Sequence, residues 1–209
     1  MHDPAMRPAN YTRSLTHVAS GLVILLLIQL VLQTEQRILV ASALFAAFAW
    51  TLEITRRLFP AWNAVLMKIL GRIAHGHEWN HVNSSTWYGT ALFGLSLVAS
   101  PMVSTVAVMV LGLGDPAAGL VGRRYGRTRF SSGRSLEGSL GFVVVGSLGA
   151  FAAMRIFYPG VAMVEAAILA VAAAVAGAVA ELMTRRLDDN LVIPLAAAGG
   201  AGLVTLLFR

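Results

Sequence analysis

The sequence predicts an all-α integral membrane protein: one domain, residues 1–209, built as a helical bundle of about seven transmembrane helices plus one interfacial amphipathic helix. The chain is 57% hydrophobic and only 12% charged, whereas soluble domains carry about 25% charged residues. Several apolar runs are also long enough to cross a bilayer core of about 30 Å as helices. No cysteine is present, which excludes disulfides, thiol catalysis and cysteine-ligated metals.

Seven apolar runs are the expected spans: residues 14–32, 38–55, 85–100, 102–120, 136–157, 161–184 and 191–208. The first lacks a clear cleavage site, so we expect it to be retained. Between the third and fourth, Ser100-Pro101 predicts a tight turn rather than a kink, because proline is favoured in turns. Residues 60–74 interleave Lys68 and Arg72 with apolar residues at helical spacing, which predicts the interfacial amphipathic helix.

The positions of the basic residues predict the orientation of the bundle. With a cytoplasmic N-terminus, 13 of the 16 lysines and arginines fall in inside segments, as the positive-inside rule requires. Only Arg37, Arg155 and Arg209 fall elsewhere. Topology therefore accounts for the net charge of +6, and no nucleic-acid partner is expected. We expect a bacterial inner-membrane protein whose N-terminus and active site face the cytoplasm.

One polar stretch, residues 112–138, contains seven glycines, five arginines and two carboxylates. Glycine permits close backbone approach, and arginine matches phosphate oxygens. We expect a basic loop at 122–134 that attracts nucleoside triphosphates, followed by Ser135 as a helix N-cap with free N–H groups for an anion. Asp115 and Glu137 bracket the stretch and could hold a cation against the phosphate. The alternative is a loop that only fixes topology.

A second polar cluster follows the sixth span. Glu181 precedes Asp188, Asp189 and Asn190 in the sequence. Three carboxylates and an amide oxygen at one membrane face form a suitable ligand set for Mg²⁺. The alternative is a solvated turn in which Asp189 or Asn190 caps the last helix, but capping does not account for Glu181.

Two pairs of ionisable residues lie one helical turn apart near the ends of spans: Arg13 with His17, and Glu53 with Arg56. Each pair is either an interfacial ion pair or part of a site, because ionisable groups near a bilayer usually face a partner or a cavity.

Residues 77–81 satisfy the HExxH pattern of zinc proteases, in which two histidines bind zinc and the glutamate is the base. That chemistry requires a helix, whereas turn-favouring residues such as Gly76 surround the pattern. An intramembrane zinc protease using His77, Glu78 and His81 is the alternative to a polar loop of another site. Neither a Walker loop nor a dinucleotide-binding GxGxxG after a strand is present.

Three motifs carry a family resemblance: Gly114-Asp115-Pro116-Ala117-Ala118 continuing to Val121-Gly122 and Tyr125-Gly126; Arg134-Ser135-Leu136-Glu137-Gly138-Ser139; and Glu181 with Asp188-Asp189-Asn190 and Pro194. Looser matches are Arg13 with His17, Glu53 with Arg56, and Glu78 followed by Asn83 and Trp87-Tyr88-Gly89. In these motifs the chain resembles the CTP-dependent lipid alcohol kinases, which include dolichol kinase, phytol kinase and yeast-type diacylglycerol kinase. Arg134 departs from the lysine that the family often has, which keeps the charge but changes the contact geometry.

The resemblance implies transfer of the γ-phosphate of CTP to the hydroxyl of a lipid alcohol (a polyprenol, a phytol-like alcohol or diacylglycerol) at the cytoplasmic face. Such a reaction needs metal and cations on the phosphates and a base near the hydroxyl. The predicted Mg²⁺ ligands are Asp115, Glu181 and Asp188. The predicted catalytic residues are Asp115, Glu137 as a metal ligand or arginine anchor, and Asp189 as the base. The predicted CTP-binding residues are Gly119, Gly122, Arg127, Arg129, Arg134, Ser135, Gly138 and Asn190.

Two other classes of function stay open. A cytidylyltransferase making a CDP-lipid would attack the α-phosphate of CTP, but the signature associated with phosphatidate cytidylyltransferases is missing. A non-enzymatic transporter would also carry charges in the membrane, yet no inverted repeat relates the two halves. The choice of CTP over ATP rests on the resemblance alone. Small-residue faces at 141–150 and 196–202 permit close helix packing within the chain or in a homodimer.

Overall fold

The computed structural model describes residues 11–70, 81–184 and 187–208, and these residues form helices and no strand. The predicted all-α bundle is therefore confirmed. The α-helices are α1 (Tyr11–Leu26), α2 (Glu35–Leu58), α3 (Pro60–Leu70), α4 (Ser84–Val98), α5 (Pro101–Met109), α6 (Asp115–Tyr125), α7 (Leu136–Phe157), α8 (Met163–Met183) and α9 (Asp189–Leu207). Two π-helical segments extend them: Leu27–Leu32 after α1, and Val110–Gly114 between α5 and α6.

Six helices in the described ranges are long and apolar enough to cross a membrane: α1 with its π-helical end, α2, the continuous helix Pro101–Tyr125, α7, α8 and α9. The chain is thus an integral membrane protein. Helix α4, which corresponds to the predicted span 85–100, has 15 residues. At 1.5 Å per residue it is about 22 Å long, shorter than the hydrocarbon core. In the described ranges the bundle therefore consists of six helices of membrane-spanning length, with α4 packed between α2 and α9.

The chain turns between α4 and α5, as Ser100-Pro101 predicts. Ala99 and Ser100 are extended, with ψ of 143° and 159°, and the Ser100 hydroxyl caps α5 by accepting a hydrogen bond from the Val103 N–H. Pro101 occupies the first turn of α5, where its missing N–H is not needed. The continuous helix Pro101–Tyr125 therefore runs back toward the end of the bundle where α4 begins.

The predicted interfacial helix forms as α3, Pro60–Leu70. Residues 71–74 of the predicted segment lie outside the described residues. Helix α3 is joined to α2 because the Arg56 guanidinium donates to the Asn63 side chain at 3.2 Å. Its location at the membrane surface stays a prediction.

The first four residues of the predicted loop at 122–134 are helical, which corrects one expectation. Residues 122–125 belong to α6, so the loop comprises residues 126–135 only. Pro116 lies in the first turn of α6, where a regular continuous helix would bring its ring against the carbonyl four residues earlier. The π-helical segment Val110–Gly114 directly precedes it, and this wider turn accommodates the proline so that the helix continues to Tyr125.

Small residues bring neighbouring helices of the bundle into close contact. Gly21 of α1 faces Gly112, and a Cβ added to Gly21 would lie 3.1 Å from the Gly112 Cα. Gly146 of α7 and Gly200 of α9 similarly face backbone atoms of neighbouring helices. Part of each predicted small-residue face therefore serves packing within the chain, and the homodimer stays a prediction.

Candidate active site

One arginine holds two carboxylates from other helices at one end of the bundle. Arg134 lies in the loop before α7, and its Nη2 donates to both carboxylate oxygens of Asp189 at 2.8 Å each. Its Nη1 donates to Oε1 of Glu181 near the end of α8. The planar fork of arginine suits such paired contacts. Arg134 thereby ties the loop to the end of α8 and the start of α9.

Arg134 is one positive charge that interacts with three carboxylates. Burial opposes the charged form of Arg134, but the carboxylates of Asp189, Glu181 and Asp115 raise its pKa above the ordinary value. The guanidinium therefore stays protonated at any physiological pH. Three carboxylates interact with this one arginine, so this part of the described cluster carries excess negative charge. Such a field favours an added cation.

Like Asp189, Asp115 is a partly exposed carboxylate of the cluster. It begins α6 directly after the π-helical segment, a kind of distortion that is frequent at functional sites. Its Oδ2 lies 3.7 Å from the His17 Nε2, and its side chain is 31% exposed. Helices α1 and α6 thus meet at this carboxylate, and solvent or a ligand can reach it.

Asp188 is the cap of α9, a role that the sequence interpretation gave to Asp189 or Asn190. Its Oδ1 accepts hydrogen bonds from the Asn190 backbone N–H at 2.9 Å and from the Asn190 side-chain amide at 2.8 Å. Its Oδ2 accepts one from the Ser84 hydroxyl at 3.0 Å. Oδ1 therefore caps α9 and Oδ2 joins α4 to α9, roles that account for Asp188 without a metal. The capping residue differs from the expected one because the carboxylate preceding the first helical residue reaches the free N–H groups.

The start of α7 differs from the predicted anion site. Ser135 is the N-cap, since its Oγ accepts from the Gly138 N–H at 3.1 Å. The Leu136 N–H donates to the Thr128 carbonyl at 2.9 Å. The Glu137 carboxylate accepts from the Thr128 N–H at 3.2 and 3.3 Å. Two amides that would have faced an anion are therefore already used, and Glu137 fixes the loop rather than contacting an arginine side chain.

The other predicted nucleotide-binding residues divide into exposed arginines and packing glycines. Arg127 and Arg129 are exposed, and the Arg129 guanidinium donates to the Gly133 carbonyl. A Cβ on Gly122 would lie 2.9 Å from the Ser135 Oγ, and one on Gly138 would lie 2.9 Å from the Ala118 carbonyl oxygen. A Cβ on Gly119 would meet the side chain of Arg123 at 3.1 Å. The close contact between α6 and α7 thus accounts for Gly122 and Gly138.

The predicted metal ligands do not form a cage made by the protein alone. In the described ranges, no three histidine, aspartate or glutamate side chains could together hold a metal ion. Magnesium, however, is usually bound by one or two carboxylates together with substrate phosphates. Glu181 Oε2 is buried without a hydrogen-bond partner in the described part of the chain, and Asp115 is accessible. These two residues fit a magnesium ion shared with a phosphate ligand.

Glu53 and Arg56 form a structural cluster. The Glu53 side chain is 1% exposed and accepts from Nε and Nη2 of Arg56 at 2.8 Å each and from Arg57 at 2.6 Å. The Asn83 N–H also donates to Glu53, at 3.2 Å. Arg56 reaches the His81 carbonyl as well. This ion pair therefore anchors the segment before α4 to the end of α2, which favours the ion-pair alternative for Glu53 and Arg56.

Two predicted features lie outside what the structure describes. His77 and Glu78 of the HExxH pattern are not among the described residues, and neither is the side chain of Arg13. The zinc-protease alternative and the Arg13–His17 pairing therefore stay as predictions. No local sequence pattern connects His17 with Asp115, although both are polar residues near ends of spans that share one predicted membrane face.

The fold and this cluster define a class of protein: a polytopic helical membrane protein whose carboxylates and arginine gather at one end of the bundle. No family model matches the chain, and no solved structure matches it significantly. Two curated relatives do. "CTP-dependent diacylglycerol kinase 1" of Schizosaccharomyces pombe is 29% identical over 167 residues, which cover 72% of this chain and 73% of the relative. "Phytol kinase" of Synechocystis sp. is 29% identical over 199 residues, which cover 93% of this chain and 79% of the relative.

These relatives confirm the resemblance to CTP-dependent lipid alcohol kinases. The matches extend over most of the chain, and residues from all three motifs that carry the resemblance meet in space. Asp115 comes from the first motif, Arg134 from the second, and Glu181 and Asp189 from the third, and these four side chains interact electrostatically at one end of the bundle.

Proposed function

We propose that the protein is a CTP-dependent lipid kinase that transfers the γ-phosphate of CTP to the hydroxyl of a lipid alcohol. The observation that carries the proposal is the cluster of Asp115, Glu181 and Asp189 around Arg134 at the end of a membrane bundle. Phosphoryl transfer requires mainly positioning and charge neutralisation; the carboxylates can hold a cation, and that cation and the exposed arginines can neutralise the phosphates. The names of the two relatives supply the donor and the class of acceptor.

The proposed roles follow from the accessible oxygens. Asp115 and the unpaired oxygen of Glu181 would hold Mg²⁺ together with phosphates of CTP. When bound, that ion would neutralise charge on the phosphate oxygens. Arg134 keeps Glu181 and Asp189 in place, and the exposed Arg127 and Arg129 lie in the same loop, where they can meet the phosphates.

Asp189 remains the proposed base. Each of its two oxygens accepts one hydrogen bond from Arg134, whereas an ionised carboxylate offers about four lone-pair sites. The remaining lone pairs can receive the proton of the attacking alcohol. The cytoplasmic face is proposed from the charge distribution, because most basic residues of the described ranges lie at the end that carries the cluster.

The acceptor is proposed to be a lipid alcohol of the kind named for the relatives, diacylglycerol or a phytol-like prenol. Purified protein in detergent with Mg²⁺ and CTP labelled at either the γ or the α position tests this, with phytol, a polyprenol and diacylglycerol as separate acceptors. Label entering lipid from the γ position only is the expected result. Label from the α position would instead indicate a cytidylyltransferase, and label from neither would overturn the proposal.

A further inference from the structure

A buried hydroxyl group in α4 has no hydrogen-bond partner. Tyr88 is 7% exposed, and its hydroxyl oxygen has no hydrogen-bond partner in the described part of the chain. Native proteins pair nearly all buried polar groups, so an exception calls for an explanation. One explanation is a ligand that supplies the missing hydrogen-bond partner. The position of the Tyr88 hydroxyl then indicates the chemical class of that ligand.

Tyr88 lies between the apolar core and the acidic cluster. Its ring belongs to the main hydrophobic cluster of the bundle, and its centroid lies 6.4 Å from that of the His17 ring. His17 in turn lies beside Asp115. Tyr88 is four residues further along α4 than Ser84, which contacts Asp188. At 1.5 Å per residue this places Tyr88 about 6 Å further along the axis of α4 than that contact.

The surroundings of Tyr88 suit an alcohol better than a phosphate. A phenol is neutral and can both donate and accept one hydrogen bond. Phosphate groups carry charge that needs arginine or a metal ion, and burial of an unpaired charge is costly. A lipid alcohol presents one neutral hydroxyl on an apolar chain, and it approaches from the bilayer side. The hydroxyl of the acceptor is therefore the ligand group that matches this position.

We propose that Tyr88 is a positioning residue for the lipid acceptor: its phenolic group hydrogen-bonds the hydroxyl of the alcohol and directs that oxygen toward the site of Asp115. This inference rests on the proposed function. In the transfer, the acceptor oxygen forms a bond to the γ-phosphorus and the bond from that phosphorus to the bridging oxygen breaks, so CDP leaves. The proton of the alcohol passes to Asp189, and Tyr88 keeps its own proton throughout.

Binding of the alcohol without CTP provides the first test, because it does not depend on kinase activity. The melting temperature of the purified protein is measured with phytol, with dioctanoylglycerol and with a hydrocarbon of the phytol skeleton that lacks the hydroxyl. We expect at least one alcohol to raise the melting temperature of the wild type more than the hydrocarbon does. This difference should vanish in Tyr88→Phe, which itself folds normally because it removes only an unpaired hydroxyl.

Steady-state kinetics with the same acceptor provide the second test. Tyr88→Phe should raise KM for the lipid, or lower kcat/KM for it, by about tenfold and leave KM for CTP unchanged. Tyr158→Phe is the matched control, because the Tyr158 hydroxyl is paired with Gln29 at 2.7 Å near the opposite end of the bundle. That variant should lose stability and keep the wild-type KM for the lipid.

The outcomes separate this inference from the proposed function. Identical alcohol-dependent melting and identical lipid kinetics in wild type and Tyr88→Phe would overturn the role of Tyr88 while the kinase stands. A rise in KM for CTP alone would also overturn it. A Tyr88-dependent alcohol shift in a protein that transfers no γ-phosphate would support the alcohol site and refute the kinase. No alcohol-dependent shift with either lipid, together with no transfer, would refute both.

Discussion

Arg134 shows at the scale of the residue what a sequence alone leaves open. Its charge and its glycine-rich surroundings predicted a phosphate contact, and that role stays a prediction. The structure gives its guanidinium two carboxylate partners, Glu181 and Asp189, which are 47 and 55 positions away in the chain. Such pairing depends on how three helices meet, and no local pattern encodes it. The sequence did mark all three residues as parts of the candidate site.

Replacing Arg134 by alanine should destabilise the protein even without substrate. The change leaves the buried Glu181 carboxylate without its cation, and breaking a largely buried ion pair costs about 2–4 kcal/mol. The stability of Arg134→Lys should lie between those of the wild type and Arg134→Ala, because the ammonium group of lysine cannot make paired contacts with two carboxylates at once. Denaturation of the purified protein measures this. Arg129→Ala is the control, since that exposed side chain contacts only a loop carbonyl. Equal stability of Arg134→Ala and Arg129→Ala would contradict a stabilising role for the contacts of Arg134 with Glu181 and Asp189.

At the scale of the element, helix ends and helix contacts explain several polar and glycine residues. Composition predicted a loop at 122–134, but α6 continues to Tyr125 because a π-helical segment accommodates Pro116. The N-cap role of Ser135 was predictable from its type and position. The packing role of Gly138 was not, because it arises only where α6 approaches α7.

Asp188 allows a direct choice between a metal ligand and a helix cap. Asparagine also caps helices well, whereas alanine does not. If capping is its function, Asp188→Asn should keep both stability and γ-phosphate transfer, while Asp188→Ala should lose about 1–2 kcal/mol of stability. Denaturation and transfer assays on both variants distinguish the roles. Full stability with abolished transfer in Asp188→Asn would instead restore the metal-ligand prediction.

At the scale of the whole molecule, the sequence predicted the class of fold and the gathering of polar residues at one end. Apolar runs of span length are a strong signal, because a helix must satisfy its own backbone in lipid. The number of full-length spans was harder to predict, since α4 has only 15 residues and lies between other helices. Arg37 and Arg155 lie at the start of α2 and the end of α7, away from the cluster.

The orientation of the bundle can be measured cleanly because the chain contains no cysteine. Single cysteines at exposed Ser131 and exposed Gly160 report on the loops before α7 and before α8. In intact cells, a membrane-impermeant thiol reagent should label Gly160→Cys and should reach Ser131→Cys only after permeabilisation. The positive-inside distribution is the physical reason. The opposite labelling pattern would place the candidate site on the outer face.

The central claim is that the cluster containing Asp115 is the site of γ-phosphate transfer. The most direct measurement compares wild type with Asp115→Ala in transfer of label from γ-labelled CTP to lipid, with melting temperature recorded for both. Removing a metal-holding carboxylate removes charge neutralisation from the transition state. We predict that Asp115→Ala keeps a melting temperature close to that of the wild type and loses at least about a thousandfold in rate. A folded Asp115→Ala variant with near wild-type transfer would contradict the claim.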